Sequence, residues 1–250
     1  MALKWALGLS VALLALSIAG NALLGRELLA GFARLQFARI FPLGYAPSRA
    51  QPALPATPGL ITFWGDSRAY MWDPDTLRRD HAIANFAHGG QTSSQLLLQI
   101  RTTPVARSTY AVVQIGINDL HPLGVLGSFK AEIVSTLRAN ILAIRDALLE
   151  RSDYVVLTTI FPPSRVPWER KLVWDAQTLE LIEDVNAVIR GAADGKRSLL
   201  LDAHATLCDR NGLLVSEYAD NDFFLHVNRE AYVRLDAELG RIVAALPYSK

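Results

Sequence analysis

Two hydrophobic patterns alternate along residues 59–250. Short, continuous apolar runs such as Tyr154-Val155-Val156-Leu157 are typical of parallel strands buried on both faces. The longer segments between them repeat apolar residues at helical spacing. The predicted strands are 59–64, 82–86, 110–115, 154–160 and 198–202, and the predicted helices are 92–102, 128–150, 173–192 and 228–246. This alternation predicts an α/β fold, a three-layer α/β/α sandwich around a parallel five-stranded sheet.

The N-terminal segment has a different pattern. Trp5 to Leu24 is an uncharged, apolar run after Lys4, with the length of a bilayer-spanning helix. A secretory signal cleaved after a site such as Ser17-Ile18-Ala19 is the alternative. The run is longer than a usual signal and no clear cleavage site follows it, so we expect a single-pass transmembrane anchor, with the catalytic domain on the extracytoplasmic (periplasmic) side. The alternative is secretion after signal cleavage.

Three regions follow from these patterns. Residues 1–41 are predicted to be the anchor, continued by an amphipathic helix from Arg26 to Arg39 that would lie along the membrane surface. Residues 42–58 contain five prolines and are predicted to be a linker. Residues 59–250 are expected to form one catalytic domain, since the chain is too short for two full-size domains and an anchor.

Composition narrows the classes of function. With 25 Lys and Arg against 24 Asp and Glu, the chain has no broad positive charge, and nucleic acid is not an expected partner. Cys208 is the only cysteine, which excludes an intramolecular disulfide and a cysteine-rich metal site. The histidines lack ligand spacing such as H-x-x-x-H, so we expect no metal and no cofactor. The oligomeric state is left open.

Candidate chemistry follows the predicted strands. Gly65-Asp66-Ser67-Arg68 comes directly after the first strand, where a serine is exposed at the sheet edge, although Asp66 or Ser67 in a helix cap is the simpler interpretation. The second strand ends in a turn with Gly89 and Gly90, and the third runs into Gly116-Ile117-Asn118-Asp119. Glycines permit close approach to a ligand and the Asn118 amide can donate to an oxyanion, but ordinary turns also have this composition.

A late segment supplies a candidate base. Asp222 precedes His226, and an amphipathic helix follows. A serine nucleophile requires a histidine of this kind, oriented by a carboxylate. Taken alone, His226 is more often a structural or exposed residue.

Together, these four segments resemble, in their order along residues 59–246, the SGNH hydrolase family of GDSL-like esterases and lipases. The resemblance implies a flavodoxin-like fold with Ser67 as nucleophile and His226 as general base. It also implies an oxyanion hole made of the Ser67 amide, the Gly90 amide and the Asn118 side chain.

The chain departs from the family pattern at three points. Arg68 stands where the motif usually has leucine, and Ala87 replaces a glycine often found before the oxyanion glycine. Asp222 lies four residues before His226, whereas the family usually places its aspartate three before. Asp220 is therefore the substitute for Asp222, and a Ser-His dyad supported by a backbone carbonyl is the third option.

The expected function is that of a membrane-anchored serine esterase or deacylase. Its substrate would be a small-molecule, polysaccharide or lipid ester, such as an O-acetylated envelope polysaccharide, and acyl transfer to a sugar is a variant of the same chemistry. The loop from Phe161 to Trp174 is a candidate part of the substrate pocket. Cationic side chains are candidates for contact with an anionic substrate, with a solvated charged loop as the simpler interpretation: Arg68, Arg165, Arg170 and Lys171. The alternative class is a catalytically silent carbohydrate-binding or scaffold protein on the same fold.

Overall fold

A computed structural model describes residues 2–40, 57–104, 107–220 and 223–246. The strands are β1 Ile61–Gly65, β2 Ile83–Asn85, β3 Ser108–Gln114, β4 Ser152–Thr158 and β5 Ser198–Leu201. The helices are α1 Ala2–Ile40, α2 Ser67–Tyr70, α3 Ser93–Thr102, α4 Ile117–Leu120, α5 Lys130–Leu149, α6 Thr178–Ala192, α7 Ala203–Leu207 and α8 Arg229–Ala244.

The five strands form one parallel sheet in the order β2-β1-β3-β4-β5. The chain therefore places β2 on one side of β1 and then adds β3, β4 and β5 in turn on the other side. In open sheets of this kind the crevice at the carboxyl ends of the strands is the usual ligand site. The predicted parallel five-stranded α/β fold is confirmed. The boundaries differ mainly at α6, which begins at Thr178 rather than near residue 173.

Each face of the sheet packs against its own helices. Alternate strand residues point to opposite faces, so Val113 belongs to the core beneath α3, α5 and α6, and Val112 to the core beneath α7 and α8. Both residues are buried, which explains why the strands read as continuous apolar runs. The sheet is thus covered on both faces by described helices.

Helix α1 combines two environments. Its apolar N-terminal part is exposed in the described structure, and Leu7–Ile40 is long and apolar enough to cross a membrane, a property that anchors and signal sequences share. Its C-terminal end packs on the domain, where Gln36 and Ile40 are buried. Ile40 completes the core beside α3, so the end of the helix is part of the domain. The course of Arg26 to Arg39 along a membrane surface stays a prediction. Nearly all of the proposed linker 42–58 lies outside the described residues.

Candidate active site

Ser67 lies in the turn that joins β1 to α2. Asp66 caps this short helix, and its carboxylate accepts a hydrogen bond from the Arg68 amide at 2.9 Å. The Asp66 amide donates to the Gln114 carbonyl of β3 at 3.1 Å. Gly65 has a φ of 144°, and a Cβ at this position would overlap the Gln114 carbonyl oxygen. Glycine therefore lets the chain turn sharply against β3, which leaves Ser67 at the sheet edge.

His226 meets Ser67 across this edge. Its Nε2 lies 3.1 Å from the Ser67 Oγ, within hydrogen-bond distance. The His226 amide donates to the Phe223 carbonyl at 2.9 Å, which fixes the tight loop before α8. Burial lowers the pKa of His226, the charge of Arg68 lowers it further, and Asp220 opposes the shift. The imidazole is therefore neutral at pH 7, as a proton acceptor must be.

The candidate carboxylates lie in the same loop. Asp222 falls outside the described residues, so its role stays a prediction. Asp220 is described, and its charge acts on His226. The Asp220 carboxylate accepts a hydrogen bond from the Phe223 amide at 3.3 Å, and the Asp220 amide donates to the His226 carbonyl at 3.4 Å. Asp220 is thus part of the loop that carries His226.

The glycine turn and Asn118 are joined directly. Gly90 has a φ of 69°, which glycine adopts readily. The next residue, Gln91, accepts a hydrogen bond through its carbonyl from Asn118 Nδ2 at 3.0 Å. The turn is also tied to β1, since the His88 amide donates to the Gly65 carbonyl at 2.9 Å. An amide nitrogen carries two protons, so the Asn118 side chain has a second one for another acceptor.

Asp119, which follows Asn118, has a supporting position. It is buried and accepts hydrogen bonds from the Ser93 amide at 3.0 Å and the Ser93 hydroxyl at 2.7 Å. Burial raises its pKa to about 6 despite these bonds. Asp119 therefore attaches the start of α3 to the loop after β3.

Arg68 lies in the interior and not in a solvated loop, so it is not placed to meet an anionic substrate as one of our expectations had it. It is fully buried, and its Nε and Nη1 donate to the carbonyls of Leu225 at 2.6 Å and Phe161 at 2.8 Å. The Arg68 carbonyl in turn accepts from the Tyr232 hydroxyl at 2.9 Å. Leu225 directly precedes His226, so Arg68 ties the serine turn to the histidine loop. The signal for this role is the cationic residue at the position where the motif usually has leucine.

The loop after β4 borders the histidine. Phe161 is buried, whereas Trp168 is 82% exposed. The guanidinium carbon of Arg170 lies 5.6 Å from the centre of the Phe223 ring, and that ring lies 4.8 Å from the His226 ring. Arg165 and Lys171 are exposed. The loop thus reaches the site through Arg170.

The histidines other than His226 do not form a metal site in the described part of the chain. No group of three or more His, Cys, Asp or Glu side chains there is close enough to hold a metal ion. His204 lies 4.0 Å from Glu183, while His121 packs against α1.

Comparison with known proteins identifies the family of the chain. Residues 55–234 match the profile of the GDSL-like Lipase/Acylhydrolase family. The match spans well over half of the chain, so the protein belongs to this family of ester-hydrolysing enzymes. Among curated protein sequences, none matches the chain closely enough to add to this assignment.

Solved structures share the fold at low sequence identity. A GDSL-like lipase from Bacteroides thetaiotaomicron is 21% identical with a TM-score of 0.58, over 74% of this chain and 88% of that one. An acetylxylan esterase from Geobacillus stearothermophilus is 16% identical with a TM-score of 0.54, over 77% and 96%. A lipase/acylhydrolase from Enterococcus faecalis is 19% identical with a TM-score of 0.53, over 76% and 98%. These likenesses establish the fold, and not the substrate.

Proposed function

We propose that the protein is a serine esterase in which Ser67 is the nucleophile and His226 the general base. The observation that carries this proposal is the 3.1 Å separation between His226 Nε2 and Ser67 Oγ at the carboxyl edge of the sheet. A nucleophile and a base within hydrogen-bond distance are what covalent acyl transfer requires.

The reaction proceeds through an acyl-enzyme. Ser67 Oγ attacks the ester carbonyl as its proton passes to His226 Nε2. The tetrahedral oxyanion is stabilised by the amides of Ser67 and Gly90 and by the second proton of Asn118 Nδ2. His226 then protonates the departing alcohol, and water, activated by the same imidazole, releases the acid. A sugar hydroxyl in place of water would make the enzyme a transferase.

A carboxylate completes the site in one version of this mechanism. Asp222 is the first candidate, Asp220 the second, and a Ser-His dyad the third. The influence of Asp220 on the pKa of His226 supports its candidacy. The variants Asp220→Asn and Asp222→Asn separate these three options. If one aspartate orients His226, its variant should lose far more turnover than the other variant. If the site is a dyad, both variants should keep their turnover.

The setting we propose is a membrane. Residues 1–41 would anchor the enzyme, with residues 42–58 as a linker and residues 59–250 as the catalytic domain outside the cytoplasm. The length and apolar character of Leu7–Ile40 support an anchor. The intact mass of protein purified from cell membranes tests it, because signal cleavage would remove the first residues.

The substrate is an acyl ester, either an O-acetylated polysaccharide or a lipid. The acetylxylan esterase with the same fold supports the first class, and the adjacent membrane supports the second. Hydrolysis of p-nitrophenyl acetate and of longer-chain esters by the full-length protein in detergent measures the acyl preference.

The decisive experiment removes the nucleophile. Ser67→Ala should abolish ester hydrolysis and labelling by a fluorophosphonate probe. The exposed Ser128 offers a matched control, and Ser128→Ala should retain both. Full activity in Ser67→Ala would overturn the proposal, and wild-type protein that neither reacts nor labels would favour a silent binding protein.

A further inference from the structure

The last turns of α1 lie beside the proposed active site. The rings of Phe32 and His121 meet edge-on with centroids 6.4 Å apart, and those of Phe37 and Phe129 do so at 5.1 Å. Ile40 is buried in the domain core. These contacts fix the end of the helix on the domain, so the side chains it carries have defined positions.

Arg39 lies directly over the glycine turn. A Cβ at Gly90 would collide with Arg39 Nη2, and the guanidinium carbon lies 3.2 Å from the same point. The Arg39 carbonyl also accepts a hydrogen bond from the Thr92 hydroxyl at 2.6 Å. The charge of Arg39 acts on Asp119, which is already bonded to Ser93 below the turn. A cation from the N-terminal helix thus lies beside Gly90, whose amide is a proposed oxyanion donor.

A second cation borders His226. Arg170 is exposed and lies over the Phe223 ring, which contacts the His226 ring. Burial lowers the pKa of His121 to about 4, and the positive charges of Arg39 and Arg170 both contribute to this shift. His121 is therefore neutral at pH 7 and adds no charge of its own. Two guanidinium groups from distant parts of the chain approach one region of the site.

We propose that Arg39 and Arg170 form an anion subsite at the mouth of the active site, an inference that rests on the proposed esterase function. The subsite takes an ester substrate with a phosphate or carboxylate a few atoms from the scissile carbonyl. A guanidinium matches either group because its planar fork donates two hydrogen bonds at once. The anion comes from the headgroup of an acidic lipid or from a uronic acid of a polysaccharide.

Matched ester pairs test this subsite and separate the two sources. Lysophosphatidylglycerol is compared with a monoacylglycerol of the same chain, and an O-acetylated oligogalacturonate with its methyl ester. For the full-length protein in detergent, kcat/KM should favour the anionic member of one pair by about tenfold or more. The preference should fall as salt is added, because the subsite is open to solvent.

Variants then assign the preference to residues. Arg39→Gln and Arg170→Gln should each reduce the anionic-to-neutral ratio several-fold, and Arg39→Lys should reduce it less. Arg34→Gln is the matched control, since Arg34 is exposed on the same helix, and it should keep the wild-type ratio. If Arg39→Gln fails to fold, Arg170→Gln carries the test, because Arg170 is exposed.

The outcomes distinguish the subsite proposal from the esterase proposal on which it rests. Equal hydrolysis of both members of each pair, or an unchanged ratio in both Gln variants, overturns the subsite and leaves the esterase intact. Absence of hydrolysis of every ester overturns the esterase and the subsite together.

Discussion

Ser67 and its two neighbours occupy opposite sides of the same turn. Ser67 is partly exposed and faces His226, whereas Asp66 and Arg68 are completely buried. Asp66 caps α2, and Arg68 bonds to the loop that carries His226. Within three residues, the chain thus places one candidate group for chemistry and two buried groups that support the structure.

The loop after β3 shows the same division. Asn118 donates to the glycine turn, while Asp119 is buried and bonded to Ser93. Successive residues at the start of a helix point about 100° apart, so one can face the site while the next faces the interior. Of the five polar residues in these two motifs, only Ser67 and Asn118 are thus candidates for chemistry. Four predictions test the division.

The largest effect is expected on the reactive side. His226→Gln should lower kcat by about 10⁴-fold or more, since it removes the proposed acceptor of the Ser67 proton. The free energy of unfolding should change by less than about 1 kcal/mol, because the side chain is only half-buried. Ester hydrolysis and thermal denaturation measure the two quantities. Turnover within tenfold of wild type would show that His226 is not the base.

The next effect compares two neighbours. Asn118→Ala should lower kcat about 100-fold through loss of one oxyanion donor. Asp119→Asn keeps an oxygen that can accept from Ser93, so its kcat should stay within about fivefold of wild type. Steady-state kinetics on one ester, measured side by side, check the contrast. A larger loss in Asp119→Asn would reverse the assigned roles.

A smaller effect should come from Arg68, which holds the serine turn to the loop that carries His226. Arg68→Leu removes two bonds to loop carbonyls, and we expect kcat to fall about tenfold with little change in KM. In the pH profile of kcat/KM, the acidic limb of the wild type should have its midpoint below 6.5, the ordinary pKa of histidine. The midpoint of the variant should lie at higher pH, because the charge of Arg68 lowers the pKa of His226.

Arg68→Lys separates charge from geometry. It keeps the charge, so it should restore the pH midpoint while recovering only part of kcat. A pH profile identical in all three proteins would mean that Arg68 has a purely structural role.

The smallest effect concerns stability. Burial raises the pKa of Asp66 to about 7, above its ordinary value of 3.8. The folded state therefore holds this proton more tightly than the unfolded state. The associated stability is fully present below pH 3.8 and is lost as the pH rises through about 7. Asp66→Asn should flatten this decline, because the side-chain amide of asparagine does not titrate in this range. Urea denaturation at pH 4, 5.5 and 7 measures it, and an unchanged slope would contradict it.

The hydrophobic pattern alone predicted the five strands and their parallel arrangement. This succeeded because strands buried on both faces must be apolar throughout, a local property that can be read from residues such as Val155 and Val156. The first three motifs were equally local, since the serine turn, the glycine turn and the Asn118 segment each follow a strand. The proximity of Ser67 and His226 does not follow from the strands alone, because His226 lies in the loop before α8, 25 residues after the end of β5.

Only the tertiary structure decided the burial of Arg68 and the position of Arg39. An arginine is usually solvated. Arg68 can be buried because its guanidinium donates hydrogen bonds to the carbonyls of Phe161 and Leu225, which lie 93 and 157 positions further along the chain. Arg39 reaches Gly90 because α1 packs beside α3, and no local pattern encodes that contact. The sequence determined the elements and the edge at which they place their polar groups. Long-range packing decided which of these groups face substrate, because that depends on segments distant in the chain.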